Sequence, residues 1–225
     1  MTAEILSLFP VPVLKVKCDI DYQDEIDLLL AEHTTTTTHY STNNQLLTSG
    51  KYPKLHDWIL GQAQHFATQC LSLNTELRFT QSWLTQITEP VAHWINPHIH
   101  KNSFISGVFY VEKVYGDGDI RMWKPKGTIN TIEMPSPVDL NLAENNPFAQ
   151  DSHMISAESG ELLLFPAYLP HCITSIKNSS RRTSLGFDLI GNITIDQPRQ
   201  HYNKEIYGDG TGIATVFANT VVQKM

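Results

Sequence analysis

Three short blocks of the sequence hold the side chains that could do chemistry. In His98-Ile99-His100 two imidazoles stand two positions apart. On an extended strand, residues i and i+2 project from one face, so both rings could reach a single metal ion. Taken alone, such a pair also reads as two surface or hydrogen-bonded histidines. The second block is Ser159-Gly160-Glu161-Leu162-Leu163-Leu164-Phe165-Pro166-Ala167-Tyr168-Leu169-Pro170-His171. A tight turn leads into a buried apolar strand, and a proline-bounded bend then sets His171 at the mouth of the next strand. In isolation His171 could be a hydrogen-bonded loop residue. The third block is Arg182-Thr183-Ser184, continued as a strand by Leu185-Gly186-Phe187. Arg182 and Ser184 would share a face, with Arg181 pointing the other way. A guanidinium grips a carboxylate through two parallel hydrogen bonds, and a hydroxyl can add a third. An isolated pair of this kind also occurs on ordinary surfaces.

These blocks need a scaffold of short strands, and the second half of the chain supplies one. Candidate strands are 77–87, 97–101, 104–113, 119–123, 161–165, 171–176 and 182–190, separated by turn sequences such as Gly116-Asp117-Gly118-Asp119 and Asn178-Ser179-Ser180. Many short strands with turns between them predict a mainly β fold of the jelly-roll type. The first third of the chain is different. An apolar stretch with two prolines, 8–16, suits an edge strand. Asp21 can cap a short helix through about His33, with Ile26, Leu29 and Leu30 on one face. The run Thr34 to Thr38 reads as a loop. From Pro53 to about Leu71, the residues Leu55, Ile59, Ala63, Phe66 and Cys70 recur at helical spacing, and Pro53 suits the first turn. The stretch 125–158 is too long for an ordinary connection and reads as a lid or substrate loop. A single domain follows: N-terminal helical support over 1–76, a jelly-roll core over 77–190 and a C-terminal extension over 191–225.

The three blocks occur in order and at sensible gaps, and together they resemble the iron(II)/2-oxoglutarate-dependent oxygenases. The prolyl-hydroxylase-like branch, with its bacterial and phage members, is the nearest pattern. The resemblance covers about Trp83 to Leu189, and the stretch from His98 to Val111 is its hallmark. It implies a double-stranded β-helix with flanking helices. His98 matches the first metal histidine and His171 the distal one. Arg182 matches the arginine that holds the far carboxylate of 2-oxoglutarate, with Ser184 as its hydroxyl helper. His100 stands where most of the superfamily has Asp or Glu. The usual facial set is two histidines and one carboxylate. Here the set is His98, His100 and His171, or a carboxylate such as Asp117 or Asp119 completes it. The implied cofactors are Fe(II), 2-oxoglutarate and O2, and the implied reaction is hydroxylation with release of succinate and carbon dioxide. Trp83, Phe109, Tyr110 and Trp123 could line the cavity or belong to the core.

Composition narrows the partners. The 225 residues carry 16 Lys and Arg against 23 Asp and Glu, a formal charge of -7, which disfavours a nucleic-acid partner. No apolar run is long enough to cross a bilayer, so no membrane partner is expected. Three widely spaced cysteines, Cys18, Cys70 and Cys172, and the lack of a signal-like N-terminus predict free thiols in the cytoplasm. The substrate could be a small molecule or a protein side chain. A jelly-roll edge or the C-terminal tail could support a homodimer. Two other functions fit parts of the pattern. A cupin-like three-histidine enzyme without 2-oxoglutarate would account for His100 but leave Arg182 and Ser184 idle. A non-catalytic jelly-roll binding module would use neither.

Overall fold

The computed structural model describes residues 10–32, 40–41, 43–90, 97–125, 152–176 and 181–192. Met1–Gly191 form one compact unit and Asn192–Met225 a second. The threonine run, the turn at 178–180, positions 126–151 of the long connection and nearly all of the C-terminal extension lie outside the described residues.

Alternating and apolar segments form the strands where the residue pattern places most of them. They are β1 (Leu14–Lys17), β2 (Leu77–Ile87), β3 (Ile105–Glu112), β4 (Ile120–Trp123), β5 (Ser152–Ile155), β6 (Glu161–Pro166), β7 (His171–Ile173) and β8 (Arg182–Gly191). Two antiparallel sheets result: a larger one ordered β1-β6-β3-β8-β2 and a smaller one ordered β5-β4-β7. They are the two sheets of a double-stranded β-helix. The proline-containing lead-in ends in β1, which among the described strands pairs with β6 alone and so lies at the edge of the sheet.

Two helices cover the outer face of the larger sheet. In α1 (Gln23–Glu32) the Asp21 carboxylate accepts the Gln23 N–H at 3.4 Å, and Ile26 and Leu29 are buried. In α2 (Pro53–Cys70) Pro53 opens the first turn, and Tyr52 gives no side-chain cap. The buried Glu25 of α1 supplies it instead, accepting the Lys54 and Leu55 N–H groups at 2.8 and 2.9 Å. A carboxylate there satisfies two orphan donors and complements the helix dipole. Leu55, Ile59, Ala63 and Phe66 are buried as their spacing predicts, but Cys70 is exposed and Ala67 completes the stripe.

Leu185, Phe187 and Leu189 of β8 and Leu162 and Leu164 of β6 pack with the helices in one cluster. Leu163 and Phe165 of β6 and Tyr110 of β3 point the other way, into a second cluster with Ile120, Met122 and Leu169. All ten residues of β8 are buried because the strand has interior on both sides. A bulge between Phe79 and Gln81 shifts the register of β2 against β8. Before it, Leu77 and Phe79 face the helices; beyond it Leu84 does, and Gln81, Trp83 and Thr85 turn inward. A single extra residue thus re-aims half a strand.

Two expectations are corrected. Residues 97–101 are not a strand: His98 pairs with His171 in one isolated bridge. Pro97 has no N–H to donate, and the chain turns at Lys101-Asn102. Conversely, β5 lies within the stretch read as a loop. Its residues Ser-His-Met-Ile show no clear alternation, and Met154 is exposed at the edge of the small sheet.

A Cβ added at Gly107 in β3 would sit 2.4 Å from the Phe187 ring and 2.7 Å from Leu164 Cδ2. Overpacking of this kind costs about 1–3 kcal/mol. Urea unfolding of Gly107→Ala is expected to show that loss with an unchanged m-value; wild-type stability would mean that Phe187 and Leu164 yield more easily than their packing implies.

Candidate functional site

Every second residue of β8 faces the space between the sheets: Arg182, Ser184, Gly186 and Asp188. The first three line a pocket together with His98, His100 and His171, and it encloses about 550 Å³ including its mouth.

One end of the pocket is imidazole. The ring nitrogens of His98, His100 and His171 include one atom from each residue within 4.8 Å of one another. Reciprocal backbone bonds between His98 and His171, at 3.1 and 3.0 Å, hold two of the three rings side by side, and the His100 N–H donates to Ala167 at 2.9 Å. His171 Nδ1 lies 2.9 Å from the Leu169 carbonyl, and His100 Nδ1 lies 2.7 and 2.8 Å from the two Asp188 oxygens. A carbonyl and a carboxylate only accept, so both rings donate from Nδ1 and keep the Nε2 lone pair for the pocket. His100 Nε2 is buried and has no hydrogen-bond partner. A buried acceptor left open amid two converging imidazoles suits a divalent metal of the iron or zinc type.

The other end is cationic. Arg182 is only 3% exposed. Its Nε donates to Gly118 O and its Nη1 to Ser184 Oγ, both at 3.0 Å, and its Cζ lies 5.3 Å from the centre of the Tyr110 ring. Gly118, at φ 63, permits this approach, since a Cβ there would meet Arg182 Cδ at 2.8 Å. Burial pushes the Arg182 pKa down from its ordinary value. A guanidinium nevertheless stays charged in proteins. Among the described residues no carboxylate forms an ion pair with it. Arg181, by contrast, is exposed and lies 3.9 Å from Glu112, on the opposite face as expected.

Of the predicted aromatic lining, Trp83 reaches the pocket, stacking on His100 at 5.8 Å and 25°. Gly186 makes room for it, since a Cβ there would stand 2.6 Å from the indole. Phe109 is core, edge-on to Tyr22 and Trp58. The alternative carboxylates do not join the imidazoles. Asp119 pairs with the buried Lys113 Nζ at 2.6 Å and accepts from Ser156 Oγ. Asp117 sits in the turn before it. The acid that meets the imidazoles is Asp188, which the residue pattern did not single out. The signal was present, because Asp188 continues the alternation Arg182, Ser184, Gly186 on one face.

Burial lowers the His171 pKa to about 4; the Leu169 carbonyl opposes the shift, and the neighbouring His98 and His100 add to it. Burial alone would raise Asp188, but hydrogen bonds from His100, Gln81 and Ser106 outweigh it and hold the carboxylate below its ordinary value. The His171 shift has a consequence for stability. Below about pH 6.5 the unfolded chain binds a proton that folded His171 refuses until about pH 4. The stabilisation is therefore present above pH 6.5 and lost as pH falls toward 4. Metal-free protein is expected to lose on the order of 3 kcal/mol more between pH 7 and pH 4 than a His171→Gln variant in urea unfolding. Equal losses would show that His171 titrates normally.

Residues 81–188 match a family model described as "Putative 2OG-Fe(II) oxygenase". No curated protein matches the chain. Among solved structures, an oxidoreductase of the 2OG-Fe(II) oxygenase family from Burkholderia pseudomallei is 13% identical with a TM-score of 0.54, over 79% of this chain and 84% of that one. HygX from Streptomyces hygroscopicus, solved with nickel, 2-oxoglutarate and hygromycin B bound, is 12% identical with a TM-score of 0.52, over 84% of this chain and 86% of that one. At such identities these likenesses bear on the fold, the double-stranded β-helix described above. The matched stretch runs from Gln81 to Asp188 and so contains the imidazole group, Arg182 and Ser184. Over those residues, just under half of the chain, the sequence is similar to the 2OG-Fe(II) oxygenase family.

Proposed function

We propose that this protein is an iron(II)- and 2-oxoglutarate-dependent dioxygenase that hydroxylates its substrate and releases succinate and carbon dioxide. The observation that carries the reading is one pocket with three converging imidazoles at one end and, at the other, a buried guanidinium that forms no ion pair among the described residues. A cation out of water needs an anion, and the fold offers Arg182 none among the described residues. A dicarboxylate that reaches from the guanidinium toward the metal ligands meets that need.

In this reading His98, His100 and His171 hold iron(II), which with 2-oxoglutarate and O2 supplies the oxidising chemistry. The protein's own groups do the rest. Arg182 and Ser184 fix the far carboxylate of 2-oxoglutarate through charge-assisted bonds. His171, kept neutral by burial, presents a ligand lone pair at neutral pH without first losing a proton. The Leu169 carbonyl holds its ring in that orientation. Trp83 walls the pocket beside His100 and limits access of water. The balance is one substrate C–H bond, one 2-oxoglutarate and one O2 giving one C–OH, succinate and carbon dioxide. A three-histidine enzyme without 2-oxoglutarate would leave Arg182 buried without a purpose, so the dicarboxylate reading is favoured. The substrate is a small molecule or a protein side chain. A cytoplasmic setting fits the free state of all three thiols. Among the described residues no helix is long and apolar enough to cross a membrane.

Anaerobic protein loaded with iron(II) and titrated with 2-oxoglutarate should develop the weak visible charge-transfer band of the chelate. Arg182→Ala, which removes two charge-assisted bonds to the ligand, is expected to weaken 2-oxoglutarate binding about 100-fold. His171→Ala is expected to abolish the band. Bound iron without a band would turn the assignment to a three-histidine enzyme that works without 2-oxoglutarate. Absence of both would leave a binding module.

A further inference from the structure

Three neutral imidazoles bring no charge to a divalent cation, yet a carboxylate stands directly behind one of them. We infer that Asp188 is a positioning residue for His100: it sets which ring nitrogen faces the pocket and supplies the negative charge that the ligand group lacks. The inference rests on the reading of the three histidines as a metal centre.

The carboxylate is built in by strand register. Asp188 is 2% exposed and sits directly opposite Gln81 of β2 on one side and Ser106 of β3 on the other. Gln81 Nε2 donates to one of its oxygens at 2.6 Å, and Ser106 Oγ to the other at 2.5 Å. The bulge in β2 is what turns Gln81 toward it. With three strands holding the acid, its remaining partner is His100 Nδ1, within 2.8 Å of both oxygens. Trp83 covers the flat face of that imidazole, and the ring's Nε2 is buried without a hydrogen bond. Among the described residues no Lys or Arg forms an ion pair with Asp188; its one ion-pair partner is His100. The buried charge is thus aimed through a single ring at the pocket. Hydrogen bonding of the far nitrogen to a carboxylate fixes the tautomer of a ligating histidine and raises its basicity, and losing such a partner costs roughly 10–100-fold in metal affinity.

Asparagine tests charge apart from shape. In Asp188→Asn the amide oxygen can keep the bonds from Gln81 and His100, while the amide nitrogen faces Ser106, whose hydroxyl can accept. Anaerobic calorimetry is expected to show iron(II) binding weakened roughly 10–100-fold in Asp188→Asn. In a His100→Asp background the ligand group carries its own carboxylate, and the same substitution is expected to leave affinity unchanged or to raise it. A purely structural Asp188 would lower affinity in both backgrounds, which overturns the inference. Equal affinity in wild type and Asp188→Asn overturns it too, while the metal centre stands. Wild type and His171→Ala that both fail to bind iron would overturn the metal centre itself. Nitrogen-15 NMR of the metal-free wild type decides the tautomer whether or not the variants fold. A proton on His100 Nδ1 supports the inference, and one on Nε2 sinks it.

Discussion

Strand β8 has no solvent-exposed face, so each of its ten residues must be satisfied by one interior or the other. The apolar residues Leu185, Phe187 and Leu189 meet the helices and β6, a demand that hydrophobic burial meets without direction. The residues between them have the harder position. Arg182, Ser184 and Asp188 are polar and desolvated, and an unsatisfied buried polar group costs about 1–3 kcal/mol, more if charged. Each must find fixed partners, and those partners define the site.

The two charged residues of that face do not neutralise each other. Arg182 and Asp188 are six positions apart, about 20 Å along a strand, and the space between them belongs to Gly186 and the Trp83 indole. Placed side by side they would form a closed ion pair and leave nothing for a ligand. Held apart, each is met among the described residues by hydrogen-bonding groups rather than by the other: Gly118 O and Ser184 for the cation, Gln81, Ser106 and the His100 N–H for the anion. The face therefore has a positive end that meets no anion among the described residues and a negative end whose charge passes through an imidazole toward the pocket. That polarity complements a metal ion chelated by a dicarboxylate.

Much of this was legible in the residue pattern, because period-2 alternation and the turn glycines depend on local geometry. The bounds of β2 and the start of β8 follow from it, as do the shared face of Arg182 and Ser184 and the opposite aim of Arg181. What escaped was non-local. The bulge after Phe79 leaves no residue signature, yet it decides that Gln81, Trp83 and Thr85 point inward. His98 and His100 look like strand residues, but the pairing stops after one bridge because Pro97 cannot donate and the chain turns at Lys101. Asp117 and Asp119, carboxylates that could have completed the ligand group, do not reach it. Asp119 is drawn off by Lys113, a partner that only the folded turn brings to it. Asp188 becomes visible only when β8 is read as a strand with two interiors.

The same constraint explains why an unusual ligand group need not disturb the fold. A carboxylate at position 100 would point into the pocket beside Asp188, and two acids sharing one desolvated corner repel. An imidazole at that position turns the repulsion into a hydrogen bond and links the buried charge to the pocket. His100 and Asp188 are thus alternatives to a single acid at the ligand position, with the carboxylate moved one ring-width back into the sheet. There Gln81 and Ser106, set by register on either side, hold it more rigidly than a loop residue such as His100 could be held.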